Sequence, residues 1–145
     1  MSKNLHGYYI EDLSEGMSAS YAKTVTEADV VLFASVSGDD NPVHINDEFA
    51  SQTVFKGRIV HGMFCASLIS CAAGTRLPGP GGIYIDQQLS FKAPVRIGDT
   101  VTAMVAVTHI DRKRRRIVAK TQCLVKDDIV VDGTATFLVD SREQS

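Results

Sequence analysis

The residues best equipped for chemistry lie in two short segments, Ser37-Gly38-Asp39-Asp40-Asn41-Pro42-Val43-His44 and Gly57-Arg58-Ile59-Val60-His61-Gly62-Met63. In the first, two carboxylates precede a proline turn and an imidazole. Pro42 has no N–H and biases Asn41 away from the α region, so the turn could fold His44 back toward Asp39 or Asp40. A carboxylate and an imidazole facing one space can hold a water molecule and take its proton. In the second segment, Gly62 stands where a long apolar run begins. The first N–H groups of a helix lack internal partners and carry partial positive charge, and a glycine there admits a ligand carbonyl close to the main chain. Donors so placed stabilise a developing oxyanion.

Taken alone, each segment also has a plain structural reading. Asp is common in turns after Gly, a single His is often a packed or hydrogen-bonded residue, and Gly62 can simply start a helix beside a His61 that packs or caps. Together they are more demanding. An acid/base pair beside a carbonyl-polarising helix end is what addition of water to an α,β-unsaturated thioester needs. The polarised carbonyl makes the β-carbon electrophilic, the activated water attacks it, and a proton goes to the α-carbon.

The elements that must position these groups can be read from spacing. The chain has 145 residues, 44% hydrophobic and 22% charged. It is expected to form one globular domain over residues 1–145, with a core large enough to need neither disulfides nor metal. Ser18 to Val25 reads as a strand. Thr26-Glu27-Ala28-Asp29 has the form of a capping box, and Ala28, Val31, Leu32, Ser35 and Val36 follow at helical spacing up to a stop at Gly38. Asp39 to Pro42 is expected to be non-helical, and a short helix is expected after Asn46. Met63 to Ala73 carries no charge and is apolar nearly all round, which predicts a buried helix, ended by Pro78-Gly79-Pro80-Gly81-Gly82. Four strands follow with short connections: Ile83–Phe91, Thr100–Ile110, Arg116–Lys126 and Ile129–Val139. The fold class is α+β, an antiparallel sheet wrapped around a long central apolar helix. Such a sheet leaves edges, and edge pairing of two copies predicts a homodimer.

The two segments resemble the signature of the MaoC-like (R)-specific enoyl-CoA hydratases, also called hydratase 2. Leu77-Pro78-Gly79 with Gly82-Ile83-Tyr84, Leu89-Ser90-Phe91-Lys92-Ala93-Pro94-Val95 and Gly98-Asp99-Thr100-Val101 are similar to that family too, so the likeness runs from about Gly16 to Val139. The resemblance implies a hot-dog fold and reversible syn hydration of trans-2-enoyl-CoA to (R)-3-hydroxyacyl-CoA, with no metal or redox cofactor. It implies that Asp39 and His44 are the catalytic pair and that Asp40 occupies a variable position. The Gly62 N–H becomes the donor to the thioester carbonyl, and Ser67 a residue that helps orient the acid. Asn41 is expected to hold the turn. Because the chain has one hot-dog unit, two chains would supply the pair found within double-unit relatives.

Two rivals share the same equipment: a hot-dog acyl-CoA thioesterase, in which water attacks the carbonyl carbon, and a non-catalytic acyl-CoA-binding subunit. The basic run Arg112-Lys113-Arg114-Arg115-Arg116 lies between two predicted strands and reads as a solvated hairpin tip, with attraction of coenzyme A phosphates as the functional alternative. Fifteen Lys+Arg against 17 Asp+Glu, a net charge of −2, speak against a nucleic-acid partner. Cys65, Cys71 and Cys123 form no CxxC pair, and Cys65 and Cys71, which lie in an apolar run, read as core residues. The first residues lack a signal-peptide pattern, and no run is long enough to span a membrane, so a cytoplasmic protein is expected.

Overall fold

A computed structural model describes residues 5–143. A short 3-10 turn at Ile10–Asp12 leads to β1 (Ser18–Thr24), three helices α1 (Glu27–Ser37), α2 (Pro42–Ile45) and α3 (Asp47–Ser51), the long α4 (Gly62–Thr75), and strands β2 (Ile83–Phe91), β3 (Thr100–Asp111), β4 (Arg116–Val125) and β5 (Asp128–Leu138). The strands form one antiparallel sheet in the order β1-β3-β4-β5-β2. The α+β arrangement of a helix cradled by an antiparallel sheet is therefore the one expected.

The core is the inner face of the sheet against α4. Val101, Ala103, Val105 and Val107 alternate inward along β3 and are fully or almost fully buried. They meet Phe64, Cys65, Leu68, Ile69, Ala72 and Ala73 of α4. Each large aliphatic chain buried in this way contributes about 1.5–3 kcal/mol through the apolar surface it removes from water.

Two expectations about helix faces need correction. α1 begins at the expected capping box, with the Thr26 hydroxyl accepting from the Asp29 N–H at 3.1 Å and the Asp29 carboxylate from the Thr26 N–H at 2.9 Å. It ends at Gly38, whose φ of 79° suits a residue without a Cβ. The buried face, however, is Val30 and Ala34 with Phe33 packed beside them, while Val31, Leu32 and Val36 are exposed. The helix carries apolar residues on two arcs, and the arc bearing the Phe33 ring packs inward. α4 is likewise not buried all round. Met63, Ser67, Ser70 and Gly74 form an exposed stripe, while the main contacts of α4 with the sheet run to β1, β3, β4 and β5. A third correction concerns Pro42. It does not prolong the non-helical stretch but opens α2, occupying the first turn where its missing N–H costs nothing.

The two sheet edges differ. β1 is short, carries Lys23 in an ion pair with Asp29 at 3.3 Å, and has the Ser20 carbonyl capped by Arg76. β2 is longer and exposes Ile83, Tyr84, Ile85 and Phe91. Charge and capping blunt the first edge, whereas the second remains open to pairing.

Candidate active site

The site is assembled where α1 ends, α2 turns and α4 begins. Local hydrogen bonds shape the first part. The Asp39 N–H donates to the Ser37 hydroxyl at 3.1 Å, Asp39 Oδ1 accepts the Asn41 N–H at 3.3 Å, and Asn41 Oδ1 accepts the Val43 N–H at 3.2 Å. Asn41 thus caps α2 and holds the turn, as its short polar side chain allows. Asp40 is exposed, with no side-chain hydrogen bond among the described residues.

His44 sits in α2 and is buried. Its Nδ1–H donates to the Ile59 carbonyl at 2.8 Å. A carbonyl only accepts, so this contact puts a proton on Nδ1, and in the neutral ring the lone pair is then on Nε2. Arg58 locks the same turn, with Nε donating to the His44 carbonyl at 2.6 Å and Nη1 and Nη2 to Glu27 at 2.8 and 3.0 Å. Arg96 fixes the loop before α4 by donating to the carbonyls of Phe55, Gly57 and Arg58 at 2.6–3.2 Å. Sequence spacing gave no signal for either arginine, since both act on main-chain carbonyls far away along the chain.

His61, expected only to pack or cap beside Gly62, makes no side-chain cap and instead packs between the two motifs. It is 1% exposed. Its Nε2–H donates to the main-chain carbonyl of Asp39 at 2.9 Å, its ring stacks on His44 with centroids 3.9 Å apart, and the Phe33 ring meets its edge at 4.9 Å. Nδ1 is buried and has no hydrogen-bond partner among the described residues. Its one visible signal was position, an imidazole immediately before the helix-starting glycine.

Asp39, His44 and His61 each place one donor atom within 4.8 Å of the others. Two imidazoles and a carboxylate are a ligand set that divalent transition metals use. Here the two imidazoles are stacked, with their planes inclined by 27°.

Next to these groups lies a cleft of about 470 Å³, whose walls include Asp39, His61, Gly62, Met63, Phe91 and Val131. His44 stacks behind His61 and does not itself line it. The N–H groups of Gly62 and Met63 have no backbone partner among the described residues, as expected at the first positions of a helix. The Phe91 ring rests on Gly62, where an added Cβ would come within 2.7 Å of it. Cys65 also lines the cleft, but burial pushes its thiol up to about 11, so it stays protonated at neutral pH and is a poor nucleophile. Ser67 is not joined to Asp39 by a hydrogen bond; its hydroxyl donates to the Phe64 carbonyl one turn back along α4.

A model of the "MaoC like domain" family matches residues 11–128. The chain belongs to the MaoC-like hydratase family. It is 53% identical over 135 residues to the (R)-specific enoyl-CoA hydratase of Rhodospirillum rubrum, covering 93% of this chain and 94% of that protein. It is 45% identical to the 3-hydroxybutyryl-CoA dehydratase of Methylorubrum extorquens over the full chain and 92% of that protein. Among solved structures, the (R)-hydratase of Aeromonas caviae superposes with a TM-score of 0.86 at 40% identity, over 89% of this chain and 98% of that one. The MaoC-like chain therefore has the hot-dog fold of the (R)-hydratases, and none of its described helices is long and apolar enough to cross a membrane.

Proposed function

We propose that this MaoC-like protein hydrates trans-2-enoyl-CoA to (R)-3-hydroxyacyl-CoA and catalyses the reverse dehydration. The observation that carries the reading is the meeting of Asp39 and His44 beside the unpartnered N–H groups at the start of α4. The names of its relatives support the same reaction. The thioester carbonyl takes the Gly62 N–H, which stabilises negative charge on that oxygen as it develops. A water held by Asp39 and His44 Nε2 gives up a proton to the pair, and its oxygen bonds to C3. The C2=C3 electrons shift toward the carbonyl, and the pair returns a proton to C2 on the same face. Atoms balance without a metal or redox cofactor.

A homodimer formed through the open β2 edge belongs to this reading. Two-fold pairing would bury Ile83, Ile85 and Phe91 and complete the main-chain hydrogen bonds of β2.

The test is incubation with crotonyl-CoA. Loss of the enoyl-thioester absorbance without free thiol, with (R)-3-hydroxybutyryl-CoA as product, is the expected result. Release of coenzyme A thiol would indicate hydrolysis and favour the thioesterase. Binding without turnover would leave an acyl-CoA-binding subunit.

A further inference from the structure

We propose that the basic turn between β3 and β4 of one protomer holds the coenzyme A phosphates at the active site of its partner. This rests on the acyl-CoA and dimer readings above. Within one chain the turn is misplaced for such a role. Val60 N–H donates to the Val95 carbonyl, and Val25 pairs with Gly98 and Asp99, so the site lies at the Thr100 end of β3. The turn lies at the Asp111 end, roughly 33 Å away along ten residues of strand.

Two-fold pairing reverses this relation. Identical edges related by a two-fold axis must run antiparallel. β2 starts at the turn end of the sheet, where Ile83 is level with Leu138 and Leu138 with Arg116. It finishes at the site end, where Phe91 packs on Gly62. Pairing over the length of β2 therefore sets Phe91 of one chain level with Ile83 and Arg116 of the other. β4 is two strands in from β2, so the second turn lies about three strand spacings, roughly 14 Å, to the side of Phe91. A pantetheine arm leading out of the cleft bridges a separation of that order.

The turn itself is built for an anion. Arg112 is occupied, donating to the Ile10 and Leu13 carbonyls at 2.8 and 2.9 Å. Asp111 Oδ1 accepts the Arg114 N–H at 3.0 Å, and Arg115 takes a φ of 56°, which closes a tight turn. Among the described residues, no carboxylate forms an ion pair with Lys113, Arg114, Arg115 or Arg116. Four uncompensated cations on one turn of a net-acidic chain form a local field suited to phosphate, which guanidinium groups bind with two parallel hydrogen bonds.

The test uses Lys113→Ser/Arg114→Ser/Arg115→Asn, with Asn chosen because it tolerates the left-handed conformation. The variant is assayed on crotonyl-CoA and on crotonyl-N-acetylcysteamine, which lacks the phosphates. For the coenzyme A substrate, KM should rise about tenfold at low salt and converge on wild type at high salt, with kcat unchanged. The truncated substrate should show no difference. Mixed dimers then decide the route. A protomer with a neutral turn, paired with an Asp39→Asn protomer with an intact turn, should keep the wild-type KM. An unmodified protomer paired with one carrying both changes should show the raised KM. The reverse pattern, or an equal effect on both substrates, overturns the proposal. Failure of the wild type to hydrate crotonyl-CoA would instead remove the reading beneath it.

Discussion

The imidazole of His61 stacks on that of His44, with ring centroids 3.9 Å apart and planes inclined by 27°. The contact links the two motifs of the site, because His61 also donates Nε2–H to the Asp39 carbonyl. One buried side chain thus sets the distance between the acid-bearing loop and the base. His61→Ala is expected to lower kcat at least about tenfold, since it frees the Asp39 loop and leaves a hole beside His44. His61→Gln keeps an N–H donor for that carbonyl and should recover much of the loss. Equal losses in the two variants, measured as kcat on crotonyl-CoA, would remove the anchoring role.

Asp39→Asn and His44→Ala each remove one member of the proposed water-holding pair. Each should lower turnover of crotonyl-CoA at least about a hundredfold, the usual scale for a general acid or base. Circular dichroism should be unchanged for Asp39→Asn, because Asp39 is exposed and its Asn41 contact needs only an oxygen acceptor. Full activity in either variant would sink the mechanism.

Gly62 cannot be tested by deleting a side chain, but its crowding can be used. Gly62→Ala drives a methyl group into the Phe91 ring. The ring must swing away or the helix start must shift, and either disturbs the carbonyl donor. Activity should fall, and the double variant Gly62→Ala/Phe91→Ala should regain part of it. A double variant no better than the single one would show that the Phe91 clash is not the cause.

A pH dependence of stability is expected from the pair of His6 and Asp140. His6 Nε2 pairs with Asp140 at 2.9 Å, and chiefly this hydrogen bond, with a second to the Gly7 carbonyl, raises the imidazole above its ordinary value of 6.5. A raised pKa means that the folded state binds the proton more tightly than the unfolded chain does. The stabilisation is therefore fully present below pH 6.5 and disappears as pH rises through the raised value. Asp140→Asn should lower Tm at pH 6 and have little effect at pH 9. A Tm difference that does not change with pH would rule out the proton-linked pair.

Much of the local architecture was legible from spacing. Thr26 and Asp29 announce the start of α1, Gly38 its end, and the alternation of Val101, Ala103, Val105 and Val107 the buried face of β3. Capping, turn chemistry and strand alternation are interactions between near neighbours along the chain, so residue order determines them. The Asp39 to His44 motif and Gly62 were visible for the same reason. Residue order could not decide which apolar arc of α1 turns inward, nor that α4 keeps an open stripe at Ser67 and Ser70, because both depend on the shape of what packs against them. It also could not give the parts of His61, Arg58, Arg96 and Arg112. Each of these bonds a carbonyl between 14 and 102 residues away. Only the folded chain brings such groups together, and a hydrogen bond that spans that distance leaves no period in the sequence.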